Sequence, residues 1–467
     1  MRSYRTVVTS TLVAALGGLL FGFDTAVISG TTESLQSVFS LTEFWLGFAV
    51  AAALIGTILG ALSAGRPAET LGRRPVLFAL AVLFLVSAIG SAIAGTLATF
   101  AVFRFLGGLG VGAASVVAPM YIAEISPARL RGRLVAVNQL NVVLGILLAF
   151  LSNYLIAQAI GGATAWRWML GIEAVPAVLF FLLLFRIPES PRWLVRQDRL
   201  GEARRVLEQL GEPDVDRELD EIAASLRLDG TRRSEPLFQK RYTAPIALAW
   251  AVAMLNQLSG VNALMYYAPR IFQMAGAAAT DALLQSTAIG GTNLVFTIVA
   301  MFLIDRLGRR PLLIVGGVGA AASLLMTAAG FLVGGDAAGL VLVGLIGFIA
   351  CHAIGQGAVI WVFLSEIFPN RVRAKGQALG AFTHWLMAAV VSWSFPVLAS
   401  AAGGHAFTFF AVMMGLQALF AWKLMPETRN ASLEELEYRL GLATPELAAV
   451  ERQREAGETA VAEPGRP

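Results

Sequence analysis

Twelve stretches of roughly 20 residues carry almost no charge. They run at about 8–30, 44–64, 76–95, 98–121, 134–158, 167–185, 244–269, 282–304, 311–333, 338–364, 376–399 and 405–424. At a helical rise of 1.5 Å per residue, each is long enough to cross the roughly 30 Å hydrocarbon core of a bilayer. A chain in lipid must satisfy its own backbone, which leaves helices as the structure for such long runs. The expectation is an all-α membrane protein of twelve transmembrane helices. Charged residues make up only 14% of the chain, against about a quarter in soluble domains. The first run is too long for a signal-peptide core and lacks a small-residue cleavage site, so it reads as a retained span.

The charges confirm the spacing of the runs. Of 35 Lys and Arg, only Arg167 and Arg270 fall in loops on one side, and Arg104 falls within a span. The other 32 lie on the side of both chain ends, which predicts cytoplasmic termini by the positive-inside rule. Basic residues at membrane edges argue against a nucleic-acid partner. Only three of the cations are Lys, and this Arg bias points to a GC-rich bacterial genome; a multi-pass bacterial chain of this kind is expected in the inner membrane. Cys351 is the single cysteine and there are three His. No intrachain disulfide can form, and neither a cysteine metal set nor HExxH is present, so no metal is expected. GxxxxGK[ST] is absent too, which leaves no ATP motor in this chain.

The chain repeats itself once. Gly72-Arg73-Arg74-Pro75 returns 236 residues on as Gly308-Arg309-Arg310-Pro311. Glu124 with Arg131 returns 242 residues on as Glu366 with Arg373, and Pro188-Glu189-Ser190 returns 238 residues on as Pro426-Glu427-Thr428. Six spans fall in each copy. The reading is an N-terminal six-helix bundle (1–186), a charged linker of short cytoplasmic helices (187–243), a C-terminal six-helix bundle (244–426) and a tail (427–467). Parallel repeats of this kind place a ligand site at their interface near the bilayer midplane. In the tail, Ser432-Leu-Glu-Glu is a capping-box signature for one short helix, and the chain beyond about Thr444 reads as disordered.

Three ionisable residues lie inside spans, where they are expensive and usually functional. Asp24 stands six residues before Gly30 at the end of span 1. Arg104 stands six after Ala98 and Glu173 six after Arg167, at the starts of spans 4 and 6. All three therefore lie about 9 Å inside one boundary, in one half of the protein, where they can meet. A carboxylate beside an arginine ionises more readily, while burial opposes ionisation. A conformational change that shifts this balance can load and release a proton. The bland alternative is a static ion pair that only fixes helix packing.

The stretches GRRP, PMYIAEISPARLRGRLVAVNQL, PESPRWL, NQLSGVNALMYYAP, TNLVFTIVAMFLIDRLGRRP, WVFLSEIFPNRVRAKG and PETR span nearly the whole chain. As a set the chain resembles the sugar porter family of the major facilitator superfamily, and within it the bacterial proton-coupled xylose and glucose symporters. The resemblance implies that superfamily's fold of two pseudo-symmetric halves, and proton-coupled monosaccharide uptake. It makes Asp24 the proton site, since passive animal glucose carriers have Asn there, with Arg104 as its partner and Glu173 as a relay. It implies the proton as coupling ion without other cofactors, a sugar and the lipid bilayer as partners, and a monomer.

A sugar needs amide side chains for its hydroxyls and aromatic walls for its ring. Asn256, Gln257 and Asn262 in span 7 offer amides, and they share a face only if the helix breaks, which Gly260 permits. Gln139 in span 5 and Asn293 in span 8 add two more. Phe21, Tyr266, Tyr267, Trp361 and Trp385 are candidate rings, and Gly357 allows close approach beside Trp361. The resemblance implies sugar contacts at Gln139, Gln257, Asn262, Asn293 and Trp361, with Trp385 nearby. Tyr266 and Tyr267 read either as an outer gate or as packing. The chain departs from the family at Asn256, where many relatives have Gln, and at His384, where they have Gln or Asn. His384 is either a second titrating group or a neutral packed ring that donates to backbone. Ile146 is apolar, as in glucose carriers, and favours glucose over xylose.

On the cytoplasmic side, ETLGRR (Glu69, Arg73, Arg74) and DRLGRR (Asp305, Arg309, Arg310) form tight turns. Their basic residues can meet Glu124 and Glu366, with Arg131 and Arg373 beside them. The family resemblance implies a charge network that holds this side shut in the outward-facing state; basic loops also anchor spans regardless. Glu69 replaces the usual Asp. Passive sugar uniport and efflux of another small organic solute are the alternatives to symport, and an enzyme is not expected.

Overall fold

The computed structural model describes residues 2–231, 235–333, 338–429, 433–440 and 442. The regular structure among them is helical, and twelve segments are long and apolar enough to cross a bilayer. We number them as spans 1 to 12: Arg5–Val38, Glu43–Thr70, Arg73–Ile93, Leu97–Ile125, Arg131–Ala159, Ala165–Arg186, Lys240–Met274, Ala279–Leu307, Arg309–Val333, Ala338–Glu366, Arg373–Ala402 and His405–Lys423. Large apolar side chains such as Val102, Val175, Phe302 and Val315 stay exposed on the rim of the bundle, where lipid tails rather than water are the expected neighbours.

Arg167 and Arg270, read from sequence as loop residues, sit in the helices Ala165–Gly171 and Val261–Met274. The helices project past the apolar run, so the polar ends of the spans remain helical. Ser432 and the chain beyond Thr444 lie outside the described residues; the helix Leu433–Arg439 lies within them.

The two GRRP turns have the same geometry. Gly72 and Gly308 take φ of +106° and +95°, a region that costs little only for glycine. Each lets a new span begin at the following arginine.

Inside each half the helices approach almost backbone to backbone. A Cβ on Gly22 of span 1 would lie 1.8 Å from the Val142 carbonyl oxygen of span 5, and one on Gly108 of span 4 would lie 1.8 Å from that of Ala53 in span 2. Small residues at such crossings are how membrane helices gain packing energy without a hydrophobic drive. Between the halves, span 2 packs along span 11 and span 5 along span 8. The linker contributes the helices Pro191–Arg196, Leu200–Leu210 and Val215–Thr231. The second is amphipathic, burying Ala203, Val206, Leu207 and Leu210.

Several spans are irregular, and four of the breaks lie at membrane depth. Span 1 tightens to a 3-10 turn at Ile28–Thr31, and span 6 breaks before the helix Ala174–Leu183. Span 7 breaks between Thr243–Gln257 and Val261–Met274, and span 10 holds a π-turn at Ala353–Gly357. Irregular backbone at membrane depth survives where it is buried in protein or lines a cavity. All four breaks lie beside polar side chains.

Candidate functional site

In the N-terminal half, Arg104 grips Asp24. Its Nη1 donates to Asp24 Oδ1 at 2.6 Å, and its Nη2 donates to Oδ2 at 3.2 Å and to the Asp24 carbonyl at 3.0 Å. Both side chains are only 1% exposed. Glu173, at the break in span 6 and also 1% exposed, lies alongside the pair and interacts with both members. Arg104 Nε, Glu173 Oε1 and the Ser87 hydroxyl are buried without a protein partner. A Cβ on Gly107 would fall 2.3 Å from Ser87 Oγ and 3.2 Å from Asp24 Oδ1, so Ser87 of span 3 faces the same spot. Two carboxyls sharing one guanidinium are neutral overall when they hold one proton, and low dielectric favours neutrality.

In the C-terminal half the break in span 7 brings the amides together. Gly260 takes φ +81°, so Val261–Met274 starts in a new direction and Asn262 Nδ2 turns back to Gln257 Oε1 at 2.7 Å. Gln257 Nε2 reaches Asn256 Oδ1 at 3.0 Å and lies 3.1–3.2 Å from both ring nitrogens of His384. The His384 partner is thus an amide side chain, where the sequence suggested backbone. Its ring packs 4.9 Å from both Trp361 and Trp385. Phe21 of the other half lies 5.8 Å from Trp385, and Trp361 is 40% exposed. Gly357 leaves room on the same stripe of span 10 as Trp361.

Several predicted residues stand elsewhere in this conformation. Tyr267 is fully buried, with its hydroxyl on the Ser392 carbonyl at 3.0 Å and its ring 5.4 Å from Phe395. The kink at Tyr267, two residues before Pro269, turns it into the packing of its own half. Tyr266 reaches instead to Thr25, beside Asp24. Gln139 is exposed on span 5 and Asn293 is 8% exposed on span 8. Among the described residues no hydrogen bond joins either of them to the span 7 amides.

The charged motifs close within each half. Arg73 binds Glu124 through two bonds of 2.7 and 2.8 Å, and Arg309 binds Glu366 at 2.9 Å and Asp305 at 3.4 Å. Arg74 and Arg310 donate to the span-end carbonyls of Leu184 and Ala421. Glu69 does not join the first cluster: it pairs with Arg196 of the linker at 3.4 Å. Arg131 is exposed and interacts with Glu218 of the linker. Arg373 donates to the Phe368 carbonyl at 3.2 Å.

Sequence reasoning missed three features. Glu189 and Glu427, the acids of the repeated Pro-Glu motif, accept the backbone N–H groups of Arg73 and Arg74 and of Arg309 and Arg310. Their matched offset with GRRP was a usable signal. On the far face, away from the linker, Arg270 joins Glu43 at 2.7 Å and Gln36 at 3.0 Å across the halves. Counting Arg270 only for topology hid it. In the C-terminal half, Gln356 of the π-turn bonds Gln417 of span 12 at 2.5 Å.

These features define a two-half membrane carrier, with a buried acid–guanidinium site in one half and a polar, aromatic site in the other. The chain belongs to the family of sugar (and other) transporters, which it matches over residues 10–440, within the sugar porters of the major facilitator superfamily. It is similar to the D-xylose-proton symporter of Escherichia coli K12, at 39% identity covering 91% of this chain and 94% of the relative. It is also similar to the glucose transport protein of Synechocystis, at 38% identity with coverage of 91% and 95%. Among solved structures, the inward open conformation of the xylose transporter XylE from E. coli superimposes with a TM-score of 0.83 at 38% identity, covering 92% of this chain and 99% of that one.

Proposed function

We propose that this protein is a proton-coupled monosaccharide importer of a bacterial inner membrane, working by alternating access with both termini in the cytoplasm. Glucose or a related hexose or pentose is its cargo, the proton is its coupling ion, and it acts as a monomer in the bilayer. The observation that carries the reading is the Asp24–Arg104 pair with Glu173 beside it, in the half whose Phe21 packs on Trp385 of the amide and aromatic cluster. Asp24 accepts the proton, which frees Arg104 to lean on Glu173. Tyr266, which touches Thr25, and Phe21, which touches Trp385, carry that change to the sugar side. Gln139 and Asn293 join Gln257, Asn262 and Asn256 around the sugar as the halves rock, with Trp361, Trp385 and His384 forming the wall. The naming of relatives as a proton symporter and a glucose transport protein supports this reading.

The test is uptake of labelled hexoses and pentoses into proteoliposomes, with and without an inward proton gradient. Accumulation against a sugar gradient is expected only with the proton gradient. The Asp24→Asn protein should lose accumulation and keep sugar exchange. Uptake by the unaltered protein that ignores external acidification would instead establish a passive uniporter.

A further inference from the structure

We infer that His352, held by the Gln356–Gln417 pair, is a specificity-determining residue of the sugar site that takes the exocyclic hydroxyl of a hexose. The inference rests on the proposed sugar site and extends it to a third element.

The geometry starts from the π-turn at Ala353–Gly357. An extra residue in the turn shifts the helical stacking, so His352 stands over Gly357 instead of Gln356. A Cβ on Gly357 would lie 3.5 Å from the His352 carbonyl oxygen and 3.9 Å from its ring Cδ2. Trp361 follows Gly357 by one ordinary turn, and a helical side chain leans back towards the N-terminus of its helix. Trp361 thus stands on the same side of span 10 as Gly357, one turn beyond it. Its ring meets His384, which holds Gln257. His352 also lies close enough to His384 to interact with it electrostatically. His384 thus joins the span 7 amides to the Trp361 ring and lies within electrostatic reach of His352, whose own ring packs 5.9 Å from Phe348.

The same turn points Gln356 the other way. Its Nε2 donates to Gln417 Oε1 at 2.5 Å and contacts Met414 Sδ at 2.7 Å, while its side chain lies beside the His352 ring. Gly355 packs on the backbone of Gly316, where a Cβ would be 2.9 Å from the Gly316 Cα. The turn is therefore fixed from behind by spans 9 and 12.

His352 and Gln356 are 8% and 1% exposed, yet His352 Nδ1 and Gln356 Oε1 have no protein partner. Burying unmatched acceptors is unfavourable, and an apolar pair would fill the space without that cost. The open His352 nitrogen is the one that suits a sugar hydroxyl, which donates to a neutral imidazole nitrogen. Pyranose ring hydroxyls are the natural partners of Gln257 and Asn262. A hexose has one further hydroxymethyl arm that a pentose lacks.

The experiment is uptake kinetics of the reconstituted full chain with D-glucose, 6-deoxy-D-glucose and D-xylose. In the unaltered protein, KM for 6-deoxyglucose and for xylose should exceed that for glucose by about tenfold, since a site built to bond a hydroxyl rejects the analogue lacking it. His352→Leu and Gln417→Leu should raise KM for glucose about tenfold and move KM for xylose less than about twofold. His352→Asn should recover part of the difference. Xylose uptake by the variants reports that they fold. Equal KM for glucose and 6-deoxyglucose in the unaltered protein overturns the inference while leaving sugar transport intact. So does a variant that shifts both sugars alike. Absence of uptake of all three sugars by the unaltered protein overturns both this inference and the transport reading.

Discussion

At the scale of single residues, the buried charges set what the protein tolerates. Arg104 is buried in this conformation, so its charge is tolerable only while a carboxylate stays near. Removing one partner of a buried pair usually costs about 3–5 kcal/mol, because the remaining charge is stranded. Here Glu173 stands by as a second acid. Asp24→Asn should therefore fold, and so should Glu173→Gln. The double variant should lose more stability than the two single losses together, with a coupling of about 1–3 kcal/mol. Equilibrium unfolding in mixed micelles measures it. Losses that add to within about 0.5 kcal/mol would show that Glu173 does not share the arginine.

At the scale of elements, the irregular turns matter more than the spans around them. Gly260 is the hinge on which Asn262 swings back to Gln257. A Cβ there would lie 2.6 Å from the Phe410 ring, and the φ of +81° disfavours any other residue. Gly260→Ala should raise KM for sugar at least about tenfold through lost convergence of the amides, with proton binding at Asp24 unaffected. The repeated Pro-Glu turns differ from each other despite matching sequence. Burial dominates at Glu189 and lifts its carboxyl above the ordinary 4.5. At Glu427 burial pushes in the same direction, but the N–H groups of Arg429, Arg309, Arg310 and Thr428 together outweigh it and hold the carboxyl below 4.5. The signs of the pH dependence are therefore opposite. The Glu427 contribution is present above pH 4.5 and fades as pH falls through its lowered value. The Glu189 contribution is largest at low pH and declines as pH rises from 4.5 through its raised value. Glu427→Gln should lower the unfolding midpoint at pH 7 more than Glu189→Gln does, and its deficit should shrink in acid. Melting curves of the two variants between pH 4 and pH 7 decide the matter, and parallel pH profiles would contradict it.

At the scale of the whole molecule, the two membrane faces differ in whether ion pairs cross between the halves. How far this was legible in sequence depends on whether a feature is local. The twelve spans follow from apolar length, and the shared depth of Asp24, Arg104 and Glu173 follows from counting residues along helices. The break at Gly260 was readable because the glycine sits between two amides. Contacts across the seam were not readable, because they depend on how two rigid halves are tilted. That is why Arg270 looked like a topology marker, whereas Tyr267, read as an outer gate or as packing, is turned into its own half by the local kink before Pro269. In this conformation the far face is bolted across the halves. Arg270 binds Glu43 and Gln36, Gln36 Nε2 binds Glu43 at 3.1 Å, and the Trp393 indole N–H donates to the Phe44 carbonyl at 3.2 Å. On the linker face, the Arg73–Glu124 and Arg309–Glu366 pairs each stay inside one half. This matches the likeness to an inward open relative. Alternating access needs the two states within a few kcal/mol of each other, so one ion pair can shift the balance. The Arg270–Glu43 pair is 17% and 27% exposed, which puts its net contribution near the upper part of the surface range, about 1 kcal/mol. Its loss should raise the far-face-open population by roughly fivefold. A cysteine placed at Thr25 in a Cys351→Ser background should then react roughly fivefold faster with a membrane-impermeant thiol reagent applied from the far face. Arg270→Gln and Glu43→Gln should each show it, and the swap Arg270→Glu with Glu43→Arg should reverse it by restoring the bridge. If both single variants label at the unaltered rate, the bolt is decorative and the Trp393 seam alone keeps that face closed.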